Sequence, residues 1–224
     1  METEFLKIQN ELKSQITCTD CFQLQNLNTV AGVDLAYWKQ NDKEFAVCCI
    51  VILDYQTGNI IETKHFHDEI QVPYMPGFLA FRELPLILET VKLLQNSPDL
   101  YVFDGNGYLH PRHMGIASHA GLLLKKPSIG VAKTYYRVFD AEYFEPGQEA
   151  GSYSDIVING EVYGRVLRTH ANVKPVFLSV GTGVSLDTAA RIIRHFVTKD
   201  SHIPAPTRLA DLETHIARRE ISGI

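Results

Sequence analysis

Apolar and polar positions follow two rhythms along this chain, and the places where the rhythm switches mark its elements. Phe5, Ile8, Leu12 and Ile16 recur at three-and-four spacing, which predicts a helix over residues 1–16. Val30–Tyr37 reads as a strand, Phe45–Leu53 as a nearly continuous buried one, and Ile60–Phe66 as a third. Asp54-Tyr55-Gln56-Thr57-Gly58-Asn59 supplies the hairpin turn between the last two, so three strands in succession predict an antiparallel meander. Helical spacing returns at Phe78, Phe81, Leu84, Leu88, Val91 and Gln95, giving a helix through 77–95 that Pro85 either kinks or restarts. Leu100–Asp104 is a short buried strand, His113–Leu124 a helix and Ser128–Ala132 another strand. Residues 138–160, rich in Gly, Glu and Ser, predict a surface excursion. Glu161–Arg168 and Val176–Val180 follow as strands, then a helix over Ser185–Val197 with Ser185 as its N-cap. A last helix near 207–219 follows the turn Ile203-Pro204-Ala205-Pro206.

This order predicts an α/β fold: a mixed sheet, the meander plus parallel strands, flanked by helices. The first and fourth strands can lie side by side and parallel, joined through the 77–95 helix. Asp34 and Asp104 then meet at neighbouring strand ends. Each sits where an apolar strand runs into a turn, and Glu83 lies inside the aromatic-rich run between them. An ionised carboxylate in half-buried strand sequence is costly unless something positive pairs with it. The chain offers no obvious buried Arg or Lys for each. A shared divalent cation is the economical answer, and oxygen-only ligands select Mg²⁺ or Mn²⁺ over softer metals. Taken singly, Asp104 before Gly105 also fits an ordinary turn cap, and Glu83 a solvated helix position.

With 224 residues, 45% hydrophobic and 21% charged, the chain has the make-up of one compact domain over 1–224. No apolar run approaches the roughly 20 residues of a membrane span. The acidic start Met1-Glu2-Thr3-Glu4 lacks a signal-peptide core, which predicts a cytoplasmic protein. Cys18-Thr19-Asp20-Cys21 has no second pair at zinc spacing and lies outside a βα redox context, so it reads as structural; Cys48 and Cys49 read as small core hydrophobes. A net charge of −5 argues against a non-specific nucleic-acid coat protein. It does not exclude a nuclease, whose metal supplies part of the positive field.

Gly32-Val33-Asp34, the run Pro73-Tyr74-Met75-Pro76-Gly77-Phe78-Leu79-Ala80-Phe81-Arg82-Glu83, Asp104-Gly105-Asn106-Gly107 and His110-Pro111-Arg112 resemble the motifs of the endonuclease V family. So do Gly115-Ile116-Ala117-Ser118-His119, Ile129-Gly130-Val131-Ala132-Lys133 and Pro206-Thr207-Arg208-Leu209-Ala210-Asp211. The likeness runs in order from about residue 28 to 215. It implies an RNase H-like fold and Mg²⁺-dependent incision, with Mn²⁺ as a substitute. The target it implies is the second phosphodiester bond 3′ to deoxyinosine, leaving 3′-hydroxyl and 5′-phosphate ends.

By the same resemblance, Asp34, Glu83, Asp104 and Asp211 form the metal-binding and catalytic set, and Lys133 is the active-site lysine. Pro73, Tyr74, Met75 and Pro76 correspond to a wedge that parts strands: two prolines stiffen it, and Tyr74 and Met75 replace a lost base stack. Backbone near Gly77, Leu79, Gly105 and Ile116 corresponds to the pocket for the flipped base, with His110 beside it. His119 reads instead as satisfying a helix-packing hydrogen bond, since His is an unusual ligand for Mg²⁺. The expected partner is deoxyinosine DNA, acted on by a monomer. An inosine-specific ribonuclease and a non-catalytic altered-base binder stay open. One departure stands out: the family often carries Gly-His-Lys/Arg before Val-Ser-Leu-Asp, whereas this chain reads Gly181-Thr182-Gly183 before Val184-Ser185-Leu186-Asp187. Two potential cations are missing there, which puts a phosphate contact in doubt.

Overall fold

The computed structural model describes residues 1–223. Helix α1 (Glu2–Leu12) precedes three long strands, β1 (Thr29–Gln40), β2 (Lys43–Asp54) and β3 (Ile60–Glu69). Helix α2 (Leu79–Lys92), strand β4 (Leu100–Asp104), helix α3 (Ile116–Leu124) and strand β5 (Ser128–Ala132) follow. Strands β6 (Tyr153–Ile158), β7 (Glu161–Leu167) and β8 (Val176–Thr182) and helices α4 (Leu186–His195) and α5 (Ala205–Ser222) complete the chain. Among the described residues no helix is long and apolar enough to cross a membrane.

The eight strands form one sheet in the order β3-β2-β1-β4-β5-β8-β7-β6. The expected meander is there, β1 and β2 joined through Asn41 and Asp42, both at positive φ, as a tight hairpin turn requires. At the second turn Asp54 accepts from the N–H and hydroxyl of Thr57 at 2.7 and 2.8 Å. Strand β4 lies parallel to β1, with Val33 opposite Phe103, so the next residues, Asp34 and Asp104, end adjacent strands together. Alternation then assigns the faces. Ala31, Val33, Cys48, Ile50 and Phe103 point to one core with α2 and α3; Val30, Val51, Val102 and Val131 point to the other with α4 and α5.

Helix α2 runs unbroken through Pro85, neither ending nor restarting there. Pro85 is exposed, so the Phe81 carbonyl that loses its i+4 donor can turn to water. The predicted excursion at 138–160 is partly wrong: Tyr153–Ile158 is edge strand β6, paired with β7 through the turn Asn159-Gly160 at φ 52° and 83°. The signal was present in Ile156-Val157-Ile158 followed by Asn-Gly. Ser185 does cap α4, accepting from the Thr188 N–H at 3.2 Å.

Candidate active site

Asp34 and Asp104 point to the α5 face of the sheet, and α5 brings Asp211 over them. Close approach is possible because β1 has glycine beneath the start of α5: a Cβ on Gly32 would lie 1.9 Å from the Pro206 carbonyl oxygen. Lys133, just past the end of β5, sets its Nζ 2.8 Å from Asp104 Oδ2 and 3.6 Å from Asp211 Oδ2. Glu83 comes from α2 across the strand ends, 8% exposed, and accepts 2.6 Å from the Tyr37 hydroxyl. The Arg82 guanidinium stacks 4.8 Å above that Tyr37 ring and pairs with Glu44 at 2.7 Å.

The electrostatics are unbalanced toward negative charge. Burial, then the neighbouring Asp104 and Asp211, pushes the Asp34 carboxyl up to about 8, against the smaller pull of Lys133. Burial also lifts Glu83 to about 7, although Tyr37 and Arg82 oppose it. For Lys133, burial is outweighed by the hydrogen bond and charge of Asp104, with Asp211 and Asp34, so its ammonium sits above its ordinary value. Asp34, Asp104 and Asp211 thus share one lysine, while Glu83 answers to Tyr37 and Arg82. An all-oxygen donor set with surplus negative charge suits a hard divalent cation. Among the described residues no three such side chains already close around one point. Lys133 and Tyr37 hold three of the four carboxylates in their present positions.

Beside this cluster lies a cavity of about 100 Å³, walled by Tyr74, Gly77, Leu79, Asn106, His110 and Ile116, with Met114 and Tyr136 among its other residues. The wedge residue Tyr74 is 65% exposed at its mouth. Gly105 does not line the cavity; at φ 146° it packs beneath, where a Cβ would lie 2.7 Å from Ile116 Cγ2. His110 accepts at Nδ1 from the Arg112 and Met114 N–H groups at 3.2 and 3.3 Å, so Nε2 carries the proton and donates to the Gly77 carbonyl. Burial, and then Arg112, hold it down at about 4, so it is neutral and serves as a fixed wall. His119 is buried with its ring 4.9 Å from that of Phe81 at 80°, but its Nδ1 has no hydrogen-bond partner among the described residues, so it packs without the expected hydrogen bond there.

Residue-by-residue reading of the sequence did not reach Asn106, Tyr136, Tyr37 or Gln9. Only Gln9 left a signal: a polar residue on the apolar stripe of α1, beside Ile8 and one turn from Phe5 and Leu12. The Thr182-Gly183 departure lies at the opposite end of β5 from Lys133, where Ser128 pairs with Thr182 and Ala132 with Phe177. The N-terminal segment covers it: Thr17 N–H donates to Thr182 Oγ1, and the Gly183 N–H donates to the Thr17 carbonyl at 2.8 Å. It is an internal seam about 17 Å along the strand direction from the lysine.

The sequence model of the family Endonuclease V matches residues 10–212. The chain belongs to the Endonuclease V family. Endonuclease V of Bacillus thuringiensis subsp. konkukian is 54% identical over 218 residues, 97% of this chain and 93% of that relative. The crystal structure of Bacillus subtilis Endonuclease V superposes with a TM-score of 0.96 at 48% identity, covering 100% of this chain and 94% of that one. Endonuclease V of Ciona intestinalis, in complex with a 24mer DNA containing an inosine followed by a ribo-adenosine, gives a TM-score of 0.88 at 29% identity, over 98% of each chain. The sheet is accordingly the RNase H-like one that the motifs implied. Membership makes the chain a nuclease, which sets aside the non-catalytic binder.

Proposed function

We propose that this chain is a Mg²⁺-dependent repair endonuclease for DNA containing deoxyinosine. In this reading residues 1–224 act as one domain, monomeric and cytoplasmic, and hydrolyse the second phosphodiester bond 3′ to the lesion, leaving 3′-hydroxyl and 5′-phosphate ends. The observation that carries the reading is a base-sized cavity beside a cluster of carboxylates, Glu83 buried and Asp34, Asp104 and Asp211 partly so, with too little positive charge to balance them.

The cavity suits hypoxanthine rather than adenine. Hypoxanthine presents an oxo group and a ring N–H where adenine presents an amino group and a bare ring nitrogen. The backbone N–H groups of Gly77, Leu79 and Ile116 donate to no protein acceptor among the described residues. Two of them open α2 and α3, neither of which has a side-chain cap, so both helix dipoles favour an oxo group there. Asn106 Oδ1 is buried without a partner and can accept from the ring N–H. An adenine amino group would instead face donors and leave buried groups unpaired, at about 1–3 kcal/mol each. Tyr74, stiffened by Pro73 and Pro76 and backed by Met75, fills the gap left when the base turns out.

Asp34, Asp104, Glu83 and Asp211 would hold the metal. A hard divalent ion bound there supplies activation of water and charge neutralisation at the phosphate. Lys133, still charged beside Asp104, is placed to meet a scissile phosphate oxygen or to orient the attacking water. Tyr37 keeps Glu83 directed at the strand ends rather than at solvent. An inosine-directed ribonuclease is the second reading, favoured by the ribo-adenosine that follows the inosine in the strand bound by the Ciona relative. Matched DNA and RNA oligonucleotides with one inosine, each incubated with and without Mg²⁺, decide. Cutting of RNA alone overturns the repair assignment, and cutting without divalent metal overturns the metal role.

A further inference from the structure

Helix α1 lies outside the stretch of motifs that carries the resemblance, and most of it is exposed. Its one buried residue is polar: Gln9, 0% exposed. The Gln9 amide Nε2 donates to the Gly77 carbonyl at 3.0 Å and reaches the Met114 carbonyl at 3.4 Å. Its Oε1 accepts from Arg112 Nε at 2.5 Å, and Arg112 Nη2 in turn donates to the Gly77 carbonyl at 2.9 Å. Gly77 and Met114 stand in different walls of the base cavity, one leading into α2 and the other into α3.

We infer that Gln9 is a positioning residue for base recognition, a staple across the back of the cavity that fixes the spacing of its two walls. Three side chains, Gln9, His110 and Arg112, converge on one carbonyl oxygen of a glycine at φ 80°. A carbonyl offers two lone pairs, so this one is more than satisfied. Bond number does not explain the third donor, whereas a fixed geometry does. Aromatic packing holds the helix that brings it: Phe5 stacks on Phe81 at 3.9 Å and 5°, and lies 6.0 Å from Phe78. The Arg112 guanidinium covers the other approach to Phe78 at 4.6 Å. The N-terminal helix, remote in sequence from the four clustered carboxylates, thereby sets where the Gly77 and Leu79 N–H groups stand.

The inference rests on the hypoxanthine reading of that cavity, and the test separates the two. Gln9→Glu keeps the shape and still accepts from Arg112, but it cannot donate and sets negative charge against two carbonyl oxygens. Gln9→Met keeps the bulk and drops every hydrogen bond. Binding of one oligonucleotide with inosine or adenine at the same site is measured in Ca²⁺, and incision of the inosine strand in Mg²⁺. Gln9→Glu is expected to lower the inosine-to-adenine binding ratio by roughly tenfold and Gln9→Met by less, with KM raised and kcat within about twofold. Loss of binding to both strands equally, or a loss of kcat at unchanged KM, overturns the staple. A wild-type ratio in both variants overturns it as well. Should Gln9→Glu fail to fold, Gln9→Met alone decides by the same ratio. A wild-type protein that shows no preference for inosine overturns the cavity reading itself, which is a separate result.

Discussion

Gly32→Ala places the largest demand on this site from the smallest change. The added Cβ would stand 1.9 Å from the Pro206 carbonyl oxygen, where ordinary contact begins at 3.4 Å, so α5 and β1 must part by about 1.5 Å at that point. Pro206 belongs to the first turn of α5, and Asp211 rides on the same helix five residues later. Overpacking of this kind costs about 1–3 kcal/mol, equivalent to roughly 2–12 °C in Tm for a chain of this size. The shift carries Asp211 away from Lys133, now 3.6 Å distant, and from the pair at the ends of β1 and β4. A displacement near 1 Å in a reacting cluster is worth on the order of 100-fold in kcat. The assay is single-turnover incision of an inosine duplex in Mg²⁺, beside thermal unfolding and Asp211→Ala as reference. Because the alanine acts through Asp211, the double variant should cut little more slowly than Asp211→Ala alone. Full activity of Gly32→Ala, or a multiplicative loss in the double variant, would refute the reasoning.

Asp34→Asn should cut incision at least about a thousandfold, several kcal/mol of lost transition-state stabilisation, and abolish the rise in Tm on adding Mg²⁺. Without metal its Tm at neutral pH should equal or exceed the wild type, since Asp34, pushed up to about 8, must take up a proton on folding and asparagine need not; a clear fall would count against the cluster. Tyr74→Ala should weaken incision of inosine duplexes by roughly tenfold, the worth of about one stacked base, and spare single-stranded inosine and Tm; equal loss on both substrates would remove the wedge. Burial holds His119 down at about 4 with Nδ1 unpartnered, so below about pH 6.5 the unfolded chain takes up protons that the folded one refuses. Stability from this group is complete above that pH and falls as pH drops toward 4. His119→Leu should remove about 2 kcal/mol of the loss between pH 7.5 and pH 5 in urea denaturation, and an unchanged difference would refute it.

How much was legible beforehand differs from residue to residue. Asp34 and Asp104 were readable because each ends an apolar run, and β-strand alternation with the parallel crossover through α2 leaves them little choice but adjacency. Tyr74 and its prolines were readable as a stiff, exposed tip. Edge strand β6 was hidden by the polar residues around it, since an edge strand needs only half its side chains buried. Asn106 and Tyr136 could not be read from spacing, and spacing marks Gln9 only as a polar residue on an apolar stripe. Their value comes from an unpaired oxygen, a ring at a cavity wall and an amide spanning two loops, all of them relations between segments distant in the chain.

By itself the sequence determined the elements other than edge strand β6, the mixed sheet, the family and the acidic residues, because hydrophobic period and local turn chemistry act over a few neighbours. Tertiary structure alone decided which groups are buried together. It set Lys133 between Asp104 and Asp211, lifted Asp34 and Glu83, turned the Thr182-Gly183 departure into an internal seam, and fastened α1 to the cavity through Gln9. The physical reason is that desolvation and charge repulsion depend on three-dimensional distance, which a pattern along one chain does not contain.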